Sequence, residues 1–283
     1  MFKRLQKKQV MKVHWEGGGF SDIPDYLVSS WNFAKAHFAR SRLSEGDLYN
    51  GTQAVLASAI IDHSLLRHAL SENRRSQCMV LEFGVSFGKS LRMLAELVDQ
   101  NMINGDDYTP EATTIVAGFD TFTGLPEAWG DEPVGSYSTG GLLPAVPQSV
   151  ILIRGLFRNT LPSFLSKQFA KIRRDSYSIR NNSPIIALAN IDCDLYGASL
   201  DVFNALDESI PEVPSGWAHQ KLGRIPVIRA GSLLCFDEFF MYDGWQYDEA
   251  RAFFETTGWR RRSFEYMTWS LSSKQVAVKA LVP

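Results

Sequence analysis

Residues 78–90, C-M-V-L-E-F-G-V-S-F-G-K-S, decide the fold of this chain. The first six form a short apolar run with one acid, Glu82, and predict a buried strand. Gly84 and Gly88 bound the turn that follows, and apolar residues recur at helical spacing after Ser90. This order predicts the start of a nucleotide-binding α/β sheet, in which the ligand lies at the carboxyl end of the strand, beside the helix N-terminus.

The turn departs from the dinucleotide-binding pattern G-x-G-x-x-G, because Ser86 and Lys89 stand where that pattern has its second and third glycines. Glycines at such a turn let the backbone approach a ligand, since no Cβ stands in the way. An acid two residues before the first glycine, with another glycine four residues later, resembles motif I of S-adenosylmethionine methyltransferases. An NAD-dependent dehydrogenase is the alternative for this turn.

Composition restricts the class of protein. The 283 residues are 45% hydrophobic and 12% aromatic, which is enough for a packed core and excludes a disordered chain. The formal net charge of −2 provides no basic field, so we expect no nucleic-acid partner. Residues 1–12 are basic, but no long apolar segment follows them, so we expect a flexible tail over residues 1–21 and no membrane partner.

The cysteines indicate the compartment. Cys78, Cys193 and Cys235 lie in apolar, strand-like runs, their number is odd, and their spacing fits no metal finger. We therefore expect buried free thiols in a reducing cytoplasm.

The remaining pattern predicts one α/β domain, residues 1–283, with a helical cap at residues 22–77 and the catalytic sheet and helices at residues 78–283. Four more strands are predicted after the glycine turn, and two β-rich runs near the C-terminus predict an antiparallel hairpin that closes the sheet. The four strands lie within residues 113–120, 150–155, 184–196 and 231–240, and the hairpin within residues 263–270 and 275–282.

Asp120 ends the second predicted strand. An acid there can accept hydrogen bonds from both ribose hydroxyls of a nucleoside, although a helix cap or a turn acid fits the position equally well. The next 29 residues, 121–149, are rich in glycine and proline. A loop of this length is uncommon in a compact domain unless it is functional, so we predict a lid over the ligand site.

Two further strand ends carry acids, Asp192 with Asp194, and Asp237 with Glu238. If these strands are neighbours, the acids gather at one edge, and two ionised carboxylates about 4 Å apart repel by roughly 4 kcal/mol at an effective dielectric constant of 20. Such a cluster implies a bound cation, raised pKa values, or both. Hard oxygen ligands suit magnesium, with calcium or manganese as alternatives. Asp237 and Glu238 can hold one ion together only if the strand ends before them.

Other readings of the acids remain open. They can be helix caps and surface ion pairs, and D-C-D alone also fits the metal-binding D-x-D of nucleotide-sugar glycosyltransferases. A non-catalytic, cofactor-binding protein is a third alternative.

Five blocks taken in order resemble one family. E-F-G-V-S-F-G, G-F-D-T-F-T-G-L-P-E-A-W, G-L-F-R-N-T-L-P-S-F-L, N-I-D-C-D-L-Y and F-D-E-F-F-M-Y-D-G-W are similar to blocks of the macrocin O-methyltransferase (TylF-type) family of class I S-adenosylmethionine-dependent methyltransferases. The resemblance covers roughly residues 80–254. It implies a doubly wound, mostly parallel seven-stranded sheet of the Rossmann-like type, and transfer of a methyl group to a hydroxyl of a sugar or natural product with magnesium.

The resemblance also implies roles for individual residues. Metal would be held by Asp192, Asp237 and Glu238, and Asp192 and Asp194 would be catalytic, with Asp194 available to take the proton of the acceptor hydroxyl. A small-molecule hydroxyl acceptor is the expected partner, and a homodimer is plausible. The residues expected to bind S-adenosylmethionine are Glu82, Gly84, Val85, Ser86, Gly88, Ser90, Asp120 and Thr121.

Three departures from the family pattern concern the substrate more than the cofactor. Glu238 stands where family members often have a second aspartate, Asn190 stands where a histidine commonly precedes the I-D-C-D-L-Y block, and the insertion at residues 211–229 has no counterpart.

Overall fold

The structure, a computed structural model, describes residues 10–14, 20–24, 66, 69–70, 77–104, 114–175, 185–207, 210–211, 224–225, 227–240, 242–256, 263–269 and 274–282. Its strands are β1 (Val10–His14), β2 (Phe20–Pro24), β3 (Cys78–Phe83), β4 (Ile115–Asp120), β5 (Ile151–Arg154), β6 (Ile185–Ile191), β7 (Ile210–Pro211), β8 (Arg224–Ile225), β9 (Leu233–Phe236), β10 (Ser263–Trp269) and β11 (Val276–Val282). The helices are α1 (Lys89–Asn104), α2 (Phe157–Asp175), α3 (Tyr196–Asp207) and α4 (Glu249–Glu255), with a 3-10 turn at Trp245–Tyr247.

Seven strands form the central sheet in the order β10-β11-β9-β6-β3-β4-β5. Strands β5, β4, β3, β6 and β9 are parallel neighbours, whereas β11 pairs antiparallel with both β9 and β10. The chain moves outward from β3 through β4 to β5, then returns to β6 on the other side of β3. Strand order therefore reverses at β3, which is where ligands bind in doubly wound sheets. The predicted mostly parallel, doubly wound sheet with its closing hairpin is confirmed.

Both faces of the sheet are covered, because the side chains of β3 alternate between two cores. Cys78 and Val80 pack on the side of helix α1, together with its apolar residues Leu91, Leu94 and Val98. Met79, Leu81 and Phe83 pack on the opposite side, against apolar residues of helices α2, α3 and α4, among them Leu161, Val202, Phe203 and Phe253. Strand β3 is thus buried on both faces, which explains why its sequence is a continuous apolar run.

The N-terminal segment differs from the sequence prediction. A flexible tail is predicted over residues 1–21, whereas β1 and β2 form an antiparallel pair in register from Val10 opposite Pro24 to His14 opposite Phe20. The prediction relied on the basic charge of residues 1–12, but three glycines at residues 17–19 also allow the chain to reverse.

The predicted helical cap is described only in part. Leu66, Ala69 and Leu70 are helical, and apart from the end of β2 and Gln77 the rest of residues 22–77 lies outside the described residues. In the insertion at residues 211–229, β7 pairs with β8 at its ends and Val227 and Ile228 are buried, whereas residues 212–223 are likewise outside the described part.

Within the described part of the chain, no helix combines the length and the apolar character that crossing a membrane requires. Cys78, Cys193 and Cys235 are all buried and none of the three forms a disulfide, as predicted.

Candidate functional site

A cavity of about 670 Å³ opens at the carboxyl ends of strands β3, β4, β6 and β9, at the point where strand order reverses. Backbone hydrogen bonds extend from the sheet into the loops that form the cavity. Gly84 N–H donates to the Phe119 carbonyl at 3.0 Å, and Asp192 N–H donates to the Phe83 carbonyl at 2.9 Å. Asp237 N–H donates in the same way to Ile191 at 2.9 Å. The ladder between the strands therefore fixes the loops that carry the predicted site residues.

The glycine turn lies closely against the loop after β6. Gly84 has φ of +91°, and a Cβ added there would lie 1.8 Å from the Asp192 carbonyl oxygen. Gly88 has φ of +72°, and a Cβ there would lie 3.0 Å from Pro144. Both the backbone conformation and the close approach require glycine at position 84.

Asp120 closes the turn from the adjacent strand. Its Oδ2 accepts the backbone N–H groups of Val85 at 2.8 Å and Ser86 at 2.7 Å, and its Oδ1 accepts that of Phe122 at 2.6 Å. The carboxylate therefore orders the glycine turn and the start of the following loop. Because it also lines the cavity, its remaining lone pairs can accept hydrogen bonds from a ligand.

Glu82 lies beneath the turn, fully buried, and does not line the cavity. Its Oε1 accepts the side-chain amide of Asn190 at 3.0 Å. Burial raises the pKa of Glu82 to about 7, although hydrogen bonds from Ser90 and Asn190 act to lower it. Glu82 and Asn190 form a buried polar pair that supports the turn from within the sheet.

The eight predicted cofactor-binding residues therefore divide into two groups. Gly84, Ser86, Asp120 and Thr121 line the cavity. The other four do not line it: Val85 and Gly88 belong to the turn itself, and Glu82 and Ser90 lie on either side of it in the sequence.

All four acids of the predicted cluster line the same cavity: Asp192, Asp194, Asp237 and Glu238. Strand β9 ends at Phe236, so Asp237 and Glu238 both reach the cavity. In the sequence-based prediction, both acids could face one site only if the strand ended before them. Burial is the largest cause that raises the pKa values of Asp192, Asp194 and Asp237, and neighbouring carboxylates raise them further. The pKa rises to about 7 for Asp194 and for Asp237, and well above the usual range for Asp192.

Two residues directly before β11 contact the acids directly after β9. The pairing of Val276 with Phe236 continues outward, so that the Gln275 side-chain amide donates to Asp237 and Lys274 Nζ lies 3.0 Å from Glu238 Oε1. Within the described ranges, no three acidic, histidine or cysteine side chains converge as a set that could hold a metal ion. Asp192, Asp237 and Glu238 thus share a cavity, but in this arrangement they do not fit a metal site.

Glu249, at the start of helix α4, fixes the D-C-D segment. Its fully buried carboxylate accepts the backbone N–H groups of Cys193 at 2.7 Å and Asp194 at 3.2 Å. Asp194 has φ of +57°, an uncommon conformation for a residue other than glycine. Burial raises the pKa of Glu249, and neighbouring acids raise it further. Glu249 therefore orients the acids of the cavity without lining it.

Residues 121–149 form an ordered loop that supplies one wall of the cavity. Backbone hydrogen bonds join Leu125 to Ser136 and to Gly135 within the loop. Trp129 and Tyr137 line the cavity, and the Trp129 indole N–H donates to Asp248 Oδ2 at 3.1 Å. Tyr242 donates to the same oxygen at 3.3 Å, and its ring packs edge-on against Trp129. A contact with the segment before α4 thus holds the loop.

Sequence reasoning missed Trp129, Glu249, Lys274 and Gln275. Trp129 could have been suspected, because it is the one tryptophan in the sequence of the predicted lid. Lys274 and Gln275 required the register of β11 against β9, and Glu249 gave no signal in its local sequence.

No protein-family model matches the sequence, and no curated protein matches it. Among solved structures, a crystal structure of CalS11, named a calicheamicin methyltransferase, matches with a TM-score of 0.51 and 18% identity, over 98% of this chain and 99% of that one. An apo structure of CalS11, there named a TDP-rhamnose 3′-O-methyltransferase of calicheamicin biosynthesis, has a TM-score of 0.48 and 20% identity, over 92% and 96% of the two chains. At 18% identity the first likeness shows the fold, which is that of class I methyltransferases.

Proposed function

We propose that this protein transfers a methyl group from S-adenosylmethionine to a hydroxyl of a small molecule, of the sugar or natural-product type, as the TylF-type resemblance implies. The observation that carries the proposal is the glycine turn, where Gly84 and Ser86 open onto a cavity that is also lined by the four acids of the predicted cluster. This arrangement supports the proposal, because a turn of the kind that binds nucleosides and candidate proton acceptors line the same cavity.

The turn fits S-adenosylmethionine on three grounds. Gly84 lets the turn pack against the Asp192 carbonyl, so that the turn and the loop after β6 meet at the cavity. Asp120 lines the cavity beside the turn and can accept hydrogen bonds from ribose hydroxyls. The cavity of about 670 Å³ falls within the range of roughly 300–1,000 Å³ typical of small-molecule sites. When bound, S-adenosylmethionine supplies an electrophilic methyl group on a sulfonium.

The acids supply the proton chemistry. An alcohol is a poor nucleophile at neutral pH, so a base must take its proton as the new C–O bond forms. Asp194 lines the cavity, and its pKa of about 7 suits a base that works near neutral pH. Trp129 and Tyr137 form an aromatic wall that can pack against the acceptor and exclude water. CalS11 is named for a sugar substrate, and a sugar hydroxyl is accordingly the first acceptor to test.

The proposed steps use no metal ion, whether magnesium, calcium or manganese, and they do not depend on a homodimer. The predicted ligands Asp192, Asp237 and Glu238 do not form a metal set in the described residues, so no step here passes through a metal ion. The chelator test below addresses magnesium directly.

Calorimetry tests the cofactor first. Wild-type protein is titrated with S-adenosylmethionine, S-adenosylhomocysteine, NAD and a nucleotide-sugar, and we expect micromolar binding of the first two. Asp120→Asn should weaken binding by about 1.5–3 kcal/mol through lost charge-assisted hydrogen bonds. The matched control is Asp201→Asn, which removes a charge from the same cavity at an acid 3.9 Å from Arg158. Thermal melts of both variants separate lost binding from lost folding.

Each other outcome identifies a rival function. Binding of the nucleotide-sugar alone would favour the glycosyltransferase, and binding of NAD alone would favour a dehydrogenase. Binding of S-adenosylmethionine without methyl transfer to any of a panel of sugar, phenol and polyketide hydroxyls would favour the non-catalytic protein. Methyl transfer is then measured with and without excess chelator, and full activity in chelator would remove magnesium from the mechanism.

A further inference from the structure

Lys274 brings a positive charge to the acidic end of the cavity. Its Nζ lies 3.0 Å from Glu238 Oε1 and 5.3 Å from the centroid of the Tyr242 ring, so the ammonium lies between a carboxylate and an aromatic face. Tyr242 in turn donates to Asp248, which also accepts the Trp129 indole N–H. The lysine is therefore connected to both the acids and the wall of the cavity.

The backbone fixes this position. Lys274 has φ of +63°, an uncommon value for a residue other than glycine, and its carbonyl accepts the Phe239 N–H at 3.0 Å. It directly precedes Gln275, which donates to Asp237. Two consecutive residues directly before β11 thus contact two consecutive acids directly after β9, and Lys274 with Glu238 is the oppositely charged pair.

The charge around Lys274 is strongly unbalanced. Seven carboxyl groups interact electrostatically with their neighbours at and beneath this end of the cavity, and among the described residues Lys274 lowers the pKa values of Asp194 and Asp237. The seven are Glu82, Asp192, Asp194, Asp237, Glu238, Asp248 and Glu249. A cluster of this kind requires a compensating cation or the retention of protons.

We propose that the Lys274 ammonium is the resident cation of this cluster and holds the place that the family resemblance gives to a divalent metal ion. Its pairing with Glu238 occupies Oε1 of one predicted ligand, and the Gln275 amide likewise occupies Oδ1 of Asp237. Lys274 is thus a positioning residue, which orients Glu238 and offsets the charge of the neighbouring acids. Any effect of Lys274 on catalysis rests on the proposed methyl transfer, but its effect on the binding of metal cations does not.

Cation binding gives the test. Mn²⁺ is titrated into the full-length protein without cofactor or acceptor, and free Mn²⁺ is followed by electron paramagnetic resonance. The variants are Lys274→Met, which keeps the aliphatic stem and removes the charge, and Lys274→Arg, which keeps the charge. We expect no stoichiometric Mn²⁺ site in the wild type or in Lys274→Arg. In Lys274→Met we expect one new site, whose affinity for Mn²⁺ is at least tenfold higher than that of the wild-type protein. Adding Asp237→Asn to Lys274→Met should abolish that site, because it removes a carboxylate that the ion would use.

Two results would overturn the proposal: one equivalent of Mn²⁺ bound by the wild type in an Asp237-dependent manner, or a folded Lys274→Met protein that gains no site. The wild-type titration decides the first even if Lys274→Met does not fold. A loss of folding caused by Lys274→Met would not create an Asp237-dependent Mn²⁺ site, so the new site reports the charge specifically. Since no methyl transfer is measured, failure of the proposed function and failure of this inference remain separate results.

Discussion

The two ends of the cavity are stabilised in different ways. At the glycine-turn end, backbone N–H groups of Val85, Ser86 and Phe122 satisfy Asp120, and the turn has no room for a side chain at Gly84. At the acidic end, carboxylates crowd together with raised pKa values, and few cations compensate them. The first end depends on shape and the second on charge. Steric changes should therefore damage the first end most, and changes in pH the second.

Gly84→Ala gives the largest expected effect. The new Cβ would lie 1.8 Å from a backbone oxygen of Asp192, and because that oxygen belongs to the main chain, β3 and the loop after β6 must separate. Gly244→Ala is the matched control, since Gly244 has φ of +92°, close to the +91° of Gly84, but no atom within 4 Å of its added Cβ. We expect Gly84→Ala to lower the free energy of unfolding by at least about 4 kcal/mol more than Gly244→Ala does.

Urea denaturation of the two variants measures that difference. Both variants place alanine at a positive φ, so subtracting the loss of unfolding free energy in Gly244→Ala from that in Gly84→Ala removes this shared cost. The remainder is the cost of the steric collision at position 84. Equal destabilisation by the two substitutions would show that the close approach of Gly84 to Asp192 does not hold in solution.

The acidic end predicts an effect of pH on the stability of the empty protein. The folded-state pKa values of Glu82, Asp194 and Asp237 are raised to about 7, whereas unfolded carboxylic acids titrate near 4. Between these values the folded state binds more protons than the unfolded state, so the free energy of unfolding falls as pH rises and levels off above the folded pKa. A shift of about three units corresponds to on the order of 3–4 kcal/mol per group, and the groups interact, so their effects do not add.

We therefore expect the free energy of unfolding to fall by about 3 kcal/mol between pH 5 and pH 8 at constant ionic strength. Asp194→Asn should reduce this slope, because the amide does not ionise. Asp131→Asn, which changes an exposed loop acid, should leave the slope as in the wild type. Stability that rises steadily over this range would show that the acids are ionised in the folded protein at low pH.

The sequence predicted the features that depend on local pattern. The strand, turn and helix of residues 78–104, the end of β4 at Asp120, and the gathering of acids from β6 and β9 follow from periodicity and from the common direction of parallel strands. The hydrogen bonds from the turn to Asp120 were not predictable from the sequence, because they depend on backbone angles such as φ of +47° at Ser86.

Partners that come from distant parts of the chain were also missed. Glu249 binds the backbone of Asp194 across 55 positions of sequence. Lys274 meets Glu238 only in one register of β11, and a shift of one residue would turn its side chain to the other face of the sheet. A sequence pattern can place an acid at a strand end, but the register of a later hairpin decides which cation it meets.

The wall formed by residues 121–149 joins the two ends, and its contact with Asp248 predicts the smallest effect. Trp129→Phe keeps an aromatic ring against Tyr242 and removes the indole N–H that donates to Asp248. Losing one such hydrogen bond costs about 1 kcal/mol, which corresponds to roughly fivefold more frequent local opening. A glutamate-specific protease measures this opening, because it can cut between Glu127 and Ala128, which the variant leaves unchanged, whereas the segment contains no lysine or arginine.

We expect Trp129→Phe to be cut about fivefold faster than the wild type within this segment, with the global free energy of unfolding changed by less than about 1 kcal/mol. Val134→Ala, at an exposed position of the same loop, should be cut at the wild-type rate. If the segment is a lid, S-adenosylmethionine with an accepted hydroxyl substrate should slow cleavage of the wild type, and should slow that of Trp129→Phe less, because closure no longer gains the bond to Asp248. Cleavage at the same rate with and without ligands would make the segment a fixed wall, so that both ends of the cavity would stay open to solvent while a substrate is bound.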